Sequence, residues 1–177
     1  MLASLAAMCG CASGNASYVE SGGARSVVTT NKINIADWNN AAAGLVNDML
    51  ASNCLDQFKL PVKMKVSRIV NRTSQPIDTD MLTKQISIAL NNSGKVITES
   101  QDAATRELAE YEAFTSNKKV SVANITMTGK IIEDRDSNSD VREVTYVFML
   151  EINSGGNAIW QGQKQISKQS AKSSFGF

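Results

Sequence analysis

The side chains available for chemistry are defined first by a gap: the 177 residues contain no histidine. That removes the base of Ser-His-Asp and Cys-His nucleophiles and the commonest zinc and iron ligand. Acid, base or ligand work would fall to Asp, Glu, Lys, Tyr, Ser or Cys. The one run with ligand spacing is Asp134-Arg135-Asp136-Ser137-Asn138-Ser139-Asp140, which sets out oxygens as the first half of a calcium loop does. Ser139 stands where such a loop needs glycine, and Thr145 stands where it needs its closing glutamate. Arg135 adds a positive charge among the oxygens, so the run reads as a solvated hairpin tip. No phosphate-binding glycine loop follows a strand, and no pattern places two carboxylates in one cleft. No catalytic residue, metal site or cofactor is expected, and the chain reads as a binding protein and not an enzyme.

The cysteines are Cys9, Cys11 and Cys54, a set that offers no disulfide framework. Cys54 reads as a small buried residue. Met1 to Cys11 is a short apolar stretch, too short to span a bilayer as a helix. It has the look of a secretory h-region and cleavage site. Gly10 before Cys11 resembles the end of a bacterial lipobox, which makes Cys11 the expected lipidation site. Residues 1–11 are then signal peptide, and residues 12–35, rich in Ser, Gly, Asn, Thr and Ala, form a flexible linker from membrane to domain.

Lys63, Lys65, Arg68 and Arg72 cluster with Asn71 and Thr73. They read either as an ordinary solvated face or as a patch that docks an acidic protein surface. Asn71 suits turn shaping as well as contact. Against 18 basic residues stand 17 acidic ones, a net charge of +1, which is too little excess to displace counterions from nucleic acid.

The elements that must hold these residues follow from periodicity. Trp38, Ala42, Leu45 and Met49 share a helical face, with Asp37 as the expected N-cap and an end near Ser52. Val62, Met64 and Val66 alternate with Lys63, Lys65 and Ser67 as a half-buried strand that runs to a turn at Asn71–Pro76. Asp78 or Thr79 caps a second helix with Leu82, Ile86, Ala89 and Leu90 on its apolar stripe, closed by Gly94. Lys95–Thr98 is a short strand. Ser100 is the expected cap of a third helix with Ala104, Leu108 and Tyr111 on one face. Ile125, Met127 and Ile131 mark one strand, and Val144 to Ile152 a longer one, with Asp134–Asp140 as the tip between them. After a turn at Ser154–Asn157, Ala158, Trp160 and Ile166 mark the last strand, with Gln161, Gln163 and Gln165 on its polar face. Trp38 and Trp160 read as core. The pattern predicts an α/β (α+β) domain over 36–168, one mixed sheet ending in an antiparallel meander with flanking helices, and a polar tail over 169–177.

Several of these segments, taken in order, resemble the LpoB family of outer-membrane lipoprotein activators of penicillin-binding proteins. They are Asp37-Trp38-Asn39 with the helix ending Met49-Leu50, Val70-Asn71-Arg72-Thr73, Ala89 to Lys95, and Ile159-Trp160-Gln161-Gly162. The resemblance implies a fold similar to the TolB N-terminal domain. It further implies a monomeric lipoprotein anchored in the outer membrane, facing the periplasm, that stimulates a class A penicillin-binding protein, a peptidoglycan synthase. Ala12 after Cys11 fits that membrane, because Asp there is the inner-membrane retention signal in many Gram-negative bacteria. The curli-secretion lipoproteins of the CsgG type share the general fold and supply the alternative, a structural or secretion-associated role with ring-like oligomers.

Overall fold

A computed structural model describes residues 19–20, 23, 32–100, 102–116 and 124–171. Cys9, Cys11, the rest of the signal-like stretch, most of the linker and the tail beyond 171 lie outside the described residues.

Helix α1 spans Ile35–Ala51. Its cap is Asn34 and not Asp37. The Asn34 side chain accepts from the Asp37 amide at 2.8 Å, and the Asp37 carboxylate accepts from the Asn34 amide at 3.4 Å. Asp37 is the far corner of a capping box, so the helix starts earlier than the apolar period suggests. Trp38, Ala42, Leu45 and Met49 are all buried, as their spacing requires.

Strand β1 is Val62–Val66, with its hydrophobic residues buried and Lys63 and Lys65 exposed. The expected single strand is interrupted at Ser67–Ile69, and β2 resumes at Val70–Arg72. Helix α2, Thr79–Asn92, is capped by Asp78 and buries Leu82, Ile86 and Leu90. Strand β3 is Val96–Thr98, and helix α3 is Ala103–Thr115. Asp102 caps α3 in place of Ser100, accepting from the Thr105 amide at 2.8 Å. Strands β4 (Ile125–Ser137), β5 (Val141–Ser154) and β6 (Asn157–Ala171) complete the order.

One mixed sheet results, in the order β3-β1-β4-β5-β6, with β2 beside β4. β3, β1, β2 and β4 run parallel, and β4, β5 and β6 form the antiparallel meander. The β5–β6 turn carries Gly155 and Gly156, both at positive φ, as a tight hairpin needs. The β4–β5 ladder continues to Ser137 opposite Arg142. Asp134 and Asp136 are therefore strand residues, and the tip shrinks to Asn138–Asp140, where the Asn138 side chain accepts from the amides of Asp140 and Val141. Alternating charges carry no apolar period, which is why this end of the hairpin reads as loop in the sequence.

Helices α1 and α2 pack on one face of the sheet, and the core lies between. Trp38 stands edge-on to Tyr146 and Phe148, with centroids 5.8 and 6.4 Å away. Gly129 lets Ile69 and Leu150 close over β4, since a Cβ there would lie 2.6 and 2.7 Å from their terminal methyls. Trp160 is half-buried against this core. Cys54 is half-buried and not buried, because it sits in the turn after α1, its Sγ 3.7 Å from the Met49 carbonyl. Lys164 and Lys168 of β6 lean inward and pair with Asp48 and Asp37 of α1, at 2.8 and 3.5 Å.

Candidate docking surface

The other sheet face carries no packed helix among the described residues. Side chains alternate across a strand, so the residues between the buried ones must point to this second face. On β4 these are Thr126, Thr128, Lys130 and Ile132; on β5, Val147 (itself buried), Met149 and Glu151; on β6, Gln161, Gln163 and Gln165. Register aligns them into rungs. Val70, Lys130, Met149 and Gln163 form one, and Arg72, Ile132, Val147 and Gln165 the next. The twist leaves a broad concavity of about 970 Å³, walled by Val70, Arg72, Thr128, Lys130, Met149 and Gln163. Its one carboxylate, Glu151, accepts from the Gln161 side-chain amide.

The residues singled out in the sequence divide into three groups here. Lys63, Lys65 and Arg72 are exposed on the open face. Arg68 is exposed but committed: its guanidinium donates two hydrogen bonds to Asp80, at 2.7 and 2.6 Å. That pairing holds the Asp80 carboxyl below its ordinary value and the Arg68 guanidinium above. Asn71 and Thr73 turn away from the face. Asn71 donates to the Gln75 carbonyl at 2.9 Å and accepts from the Thr73 amide at 3.0 Å and hydroxyl at 2.8 Å. Their polar groups build the turn that follows Arg72. Lys130 and Met149 escaped the sequence reading, and Val70 enters it only as part of the Val70–Thr73 motif. The parity of β4 against Ile125, Met127 and Ile131 would have placed Lys130 on the open face, but which strand lies beside it is long-range information.

The same turn is tied inward by Ser74, whose amide and hydroxyl both donate to the Glu133 carboxylate, at 2.7 and 2.9 Å. Arg135 also donates to Glu133 and to the Ser74 hydroxyl. Burial pushes the Glu133 carboxyl up, but the bonds from Arg135 and Ser74 and the Arg135 charge outweigh it, and the net shift is downward. Burial and the nearby Glu133 charge raise the Tyr146 hydroxyl. Among the described residues no group of three or more Cys, Asp or Glu is gathered as a metal site, and no helix is long and apolar enough to cross a membrane.

The family model of the peptidoglycan-synthase activator LpoB matches residues 37–166, most of the chain and all of the sheet except the last residues of β6. The chain belongs to the LpoB family. Solved structures similar to this LpoB-family chain include the LpoB C-terminal domain from Salmonella enterica, 19% identical with a TM-score of 0.48, covering 73% of this chain and 98% of that one. The LpoB C-terminal domain from Escherichia coli is 18% identical with a TM-score of 0.47, over the same shares. An NMR structure of E. coli LpoB is 16% identical with a TM-score of 0.45, over 96% of this chain and 84% of that one. No curated protein matches the chain. The mixed sheet, flanking helices and C-terminal meander expected from the sequence are those of this LpoB-family domain.

Proposed function

We propose that this domain is the docking body of a membrane-tethered lipoprotein that binds a class A penicillin-binding protein and activates its peptidoglycan synthesis without doing chemistry itself. Cys11 carries the lipid, and the domain hangs in the periplasm from the outer membrane as a monomer. The observation that supports this most is the composition of the open sheet face. Arg72 and Lys130 flank the apolar Val70, Ile132 and Met149, while the one wall carboxylate, Glu151, is engaged by Gln161. Lys63 and Lys65 extend the positive charge along β1. An apolar centre rimmed by cations suits a partner surface with apolar side chains and acidic rims, because charge sets orientation and buried apolar area supplies affinity. Arg68 lies beside this surface, and Asn71 and Thr73 serve it by fixing the turn that presents Arg72.

The test is a pull-down of a purified class A synthase with the mature protein, followed by a glycan-polymerisation assay. Binding with faster polymerisation is the expected result. Binding that survives conversion of both Arg72 and Lys130 to Glu would remove the open face from the reading, and no binding at all would remove the partner.

A further inference from the structure

Among the described residues, helix α3 is the one helix that buries none of its residues. Leu108, Tyr111 and Phe114 are 59, 67 and 85% exposed, and they recur three apart on one stripe. Glu110 lies one turn before Phe114 on one flank and Glu112 one turn after Leu108 on the other, while Glu107 falls within the stripe, one turn before Tyr111. An apolar stripe between carboxylates is the pattern of a helix that covers something basic. A helix of 13 residues is marginal in water without such packing.

Chain topology says where its cover lies. α2 connects β1 and β2 to β3, moving outward in the sheet, and packs on the core face. α3 connects β3 to β4, moving back across β1 in the opposite direction. Parallel crossovers share one hand, and two crossovers of the same hand travelling in opposite directions place their helices on opposite faces. α3 therefore belongs over the open face, at β3 and β1. The outward residues there are Ile97, 49% exposed, and beside it Lys63, then Lys65. Neither lysine forms an ion pair among the described residues.

We propose that α3 closes over the outward face of β3 and β1, its Leu108, Tyr111 and Phe114 on Ile97 and the lysine stems, its carboxylates toward Lys63 and Lys65. The occupant is this chain's own helix, chosen by connectivity, by handedness and by opposite charge. Closure hides two of the cations of the docking patch, so α3 and an acidic partner compete for them. That last consequence rests on the docking reading; the closure itself does not.

The experiment is amide hydrogen exchange on the full mature chain with no partner present, so its failure says nothing about the synthase. The α3 amides should exchange at least about 100-fold more slowly than an unfolded chain, as packed segments do. Reversing Lys63→Glu and Lys65→Glu should remove about tenfold or more of that protection, with α2 and β5 unchanged. Adding Glu107→Lys and Glu110→Lys to that variant should restore it, since opposite charges are again paired. All four positions are exposed, so the fold should survive. Coil-like exchange of α3 in the parent chain would overturn the proposal. So would protection that the reversals leave untouched, or protection that grows with protein concentration, which would assign the cover to a second copy.

Discussion

The Gln75 side chain holds both backbone groups of Ile33: its carbonyl accepts from the Ile33 amide and its amide donates to the Ile33 carbonyl, each at 2.8 Å. The two residues are 42 positions apart. Ile33 is itself buried, and Lys168 donates to the neighbouring Lys32 carbonyl at 2.9 Å. The segment leading into α1 is thus fastened to the turn that follows β2. Gln75→Ala leaves a buried residue's amide and carbonyl without partners and should cost about 2 kcal/mol. Gln75→Glu keeps the acceptor, loses the donor and sets a carboxylate against a carbonyl. Urea unfolding should rank the three proteins as parent, then both variants clearly lower, with unchanged slope.

Gly129 offers a second stability test. A methyl there meets Ile69 and Leu150 inside the core and lies 3.1 Å from the Met149 carbonyl. Both side chains are fully packed and cannot retreat. Gly129→Ala should destabilise by about 1–3 kcal/mol through overpacking, despite the lower backbone entropy of alanine. Pairing it with Ile69→Val should recover part of the loss in thermal melts; no recovery would mean that the strain lies in the backbone.

Glu133 sets an acid limit. Its carboxyl sits below the ordinary value in the folded chain, so the unfolded chain binds the proton more readily. Its contribution is complete above the unfolded value of about 4.3 and fades as pH falls through the folded one. Stability should therefore drop on acidification in this window, and Glu133→Gln should flatten that part of the curve while lowering the neutral plateau. A pH series of denaturation midpoints for both proteins gives the comparison. An unchanged acid slope in the variant would assign the loss to other carboxylates, such as Asp80 and Asp102, which are also shifted downward.

The docking reading carries its own prediction. Arg72→Glu with Lys130→Glu should weaken synthase binding by about tenfold or more and reduce its sensitivity to salt, because long-range attraction is what the cations supply. Both side chains are exposed and unpaired among the described residues, so the melting temperature should move little. Met149→Ser should weaken binding without altering the salt dependence.

Self-association is the remaining discriminator. A monomer at all working concentrations in light scattering is expected for an activator of this kind, whereas closed rings would favour the secretion-associated alternative. At the β6 edge Lys164 and Lys168 point inward, a common guard against strand-to-strand pairing.

Much of the fold was legible because apolar period is a local signal. Val62, Met64 and Val66 declared β1, and Trp38 to Met49 declared the buried face of α1. Capping was less legible: Asn34 and Asp102, which act, stand within three residues of Asp37 and Ser100, which only resemble caps. The docking face was half-legible. Lys63 and Lys65 show their parity within one strand, but Arg72 acquires Ile132 and Lys130 as neighbours only when β2 finds β4 across the chain. Asn71 and Thr73 could be read as contacts or as turn formers, because polar residues in a turn give no sign of which way they bond, and in the fold they bond within the turn.

The clasp at Ile33 also decides how the domain bears a load. Whatever pulls on the chain upstream of Lys32 strains two amide–carbonyl contacts and one lysine before any strand is asked to separate. Tension would first release a few residues of slack and peel α1 from its leading end, loosening the Asn71–Gln75 corner beside Arg72. If the proposed lipid tether and docking face hold, a tug on the one would reach the other through this corner, making it a mechanical fuse as much as a hinge of the architecture.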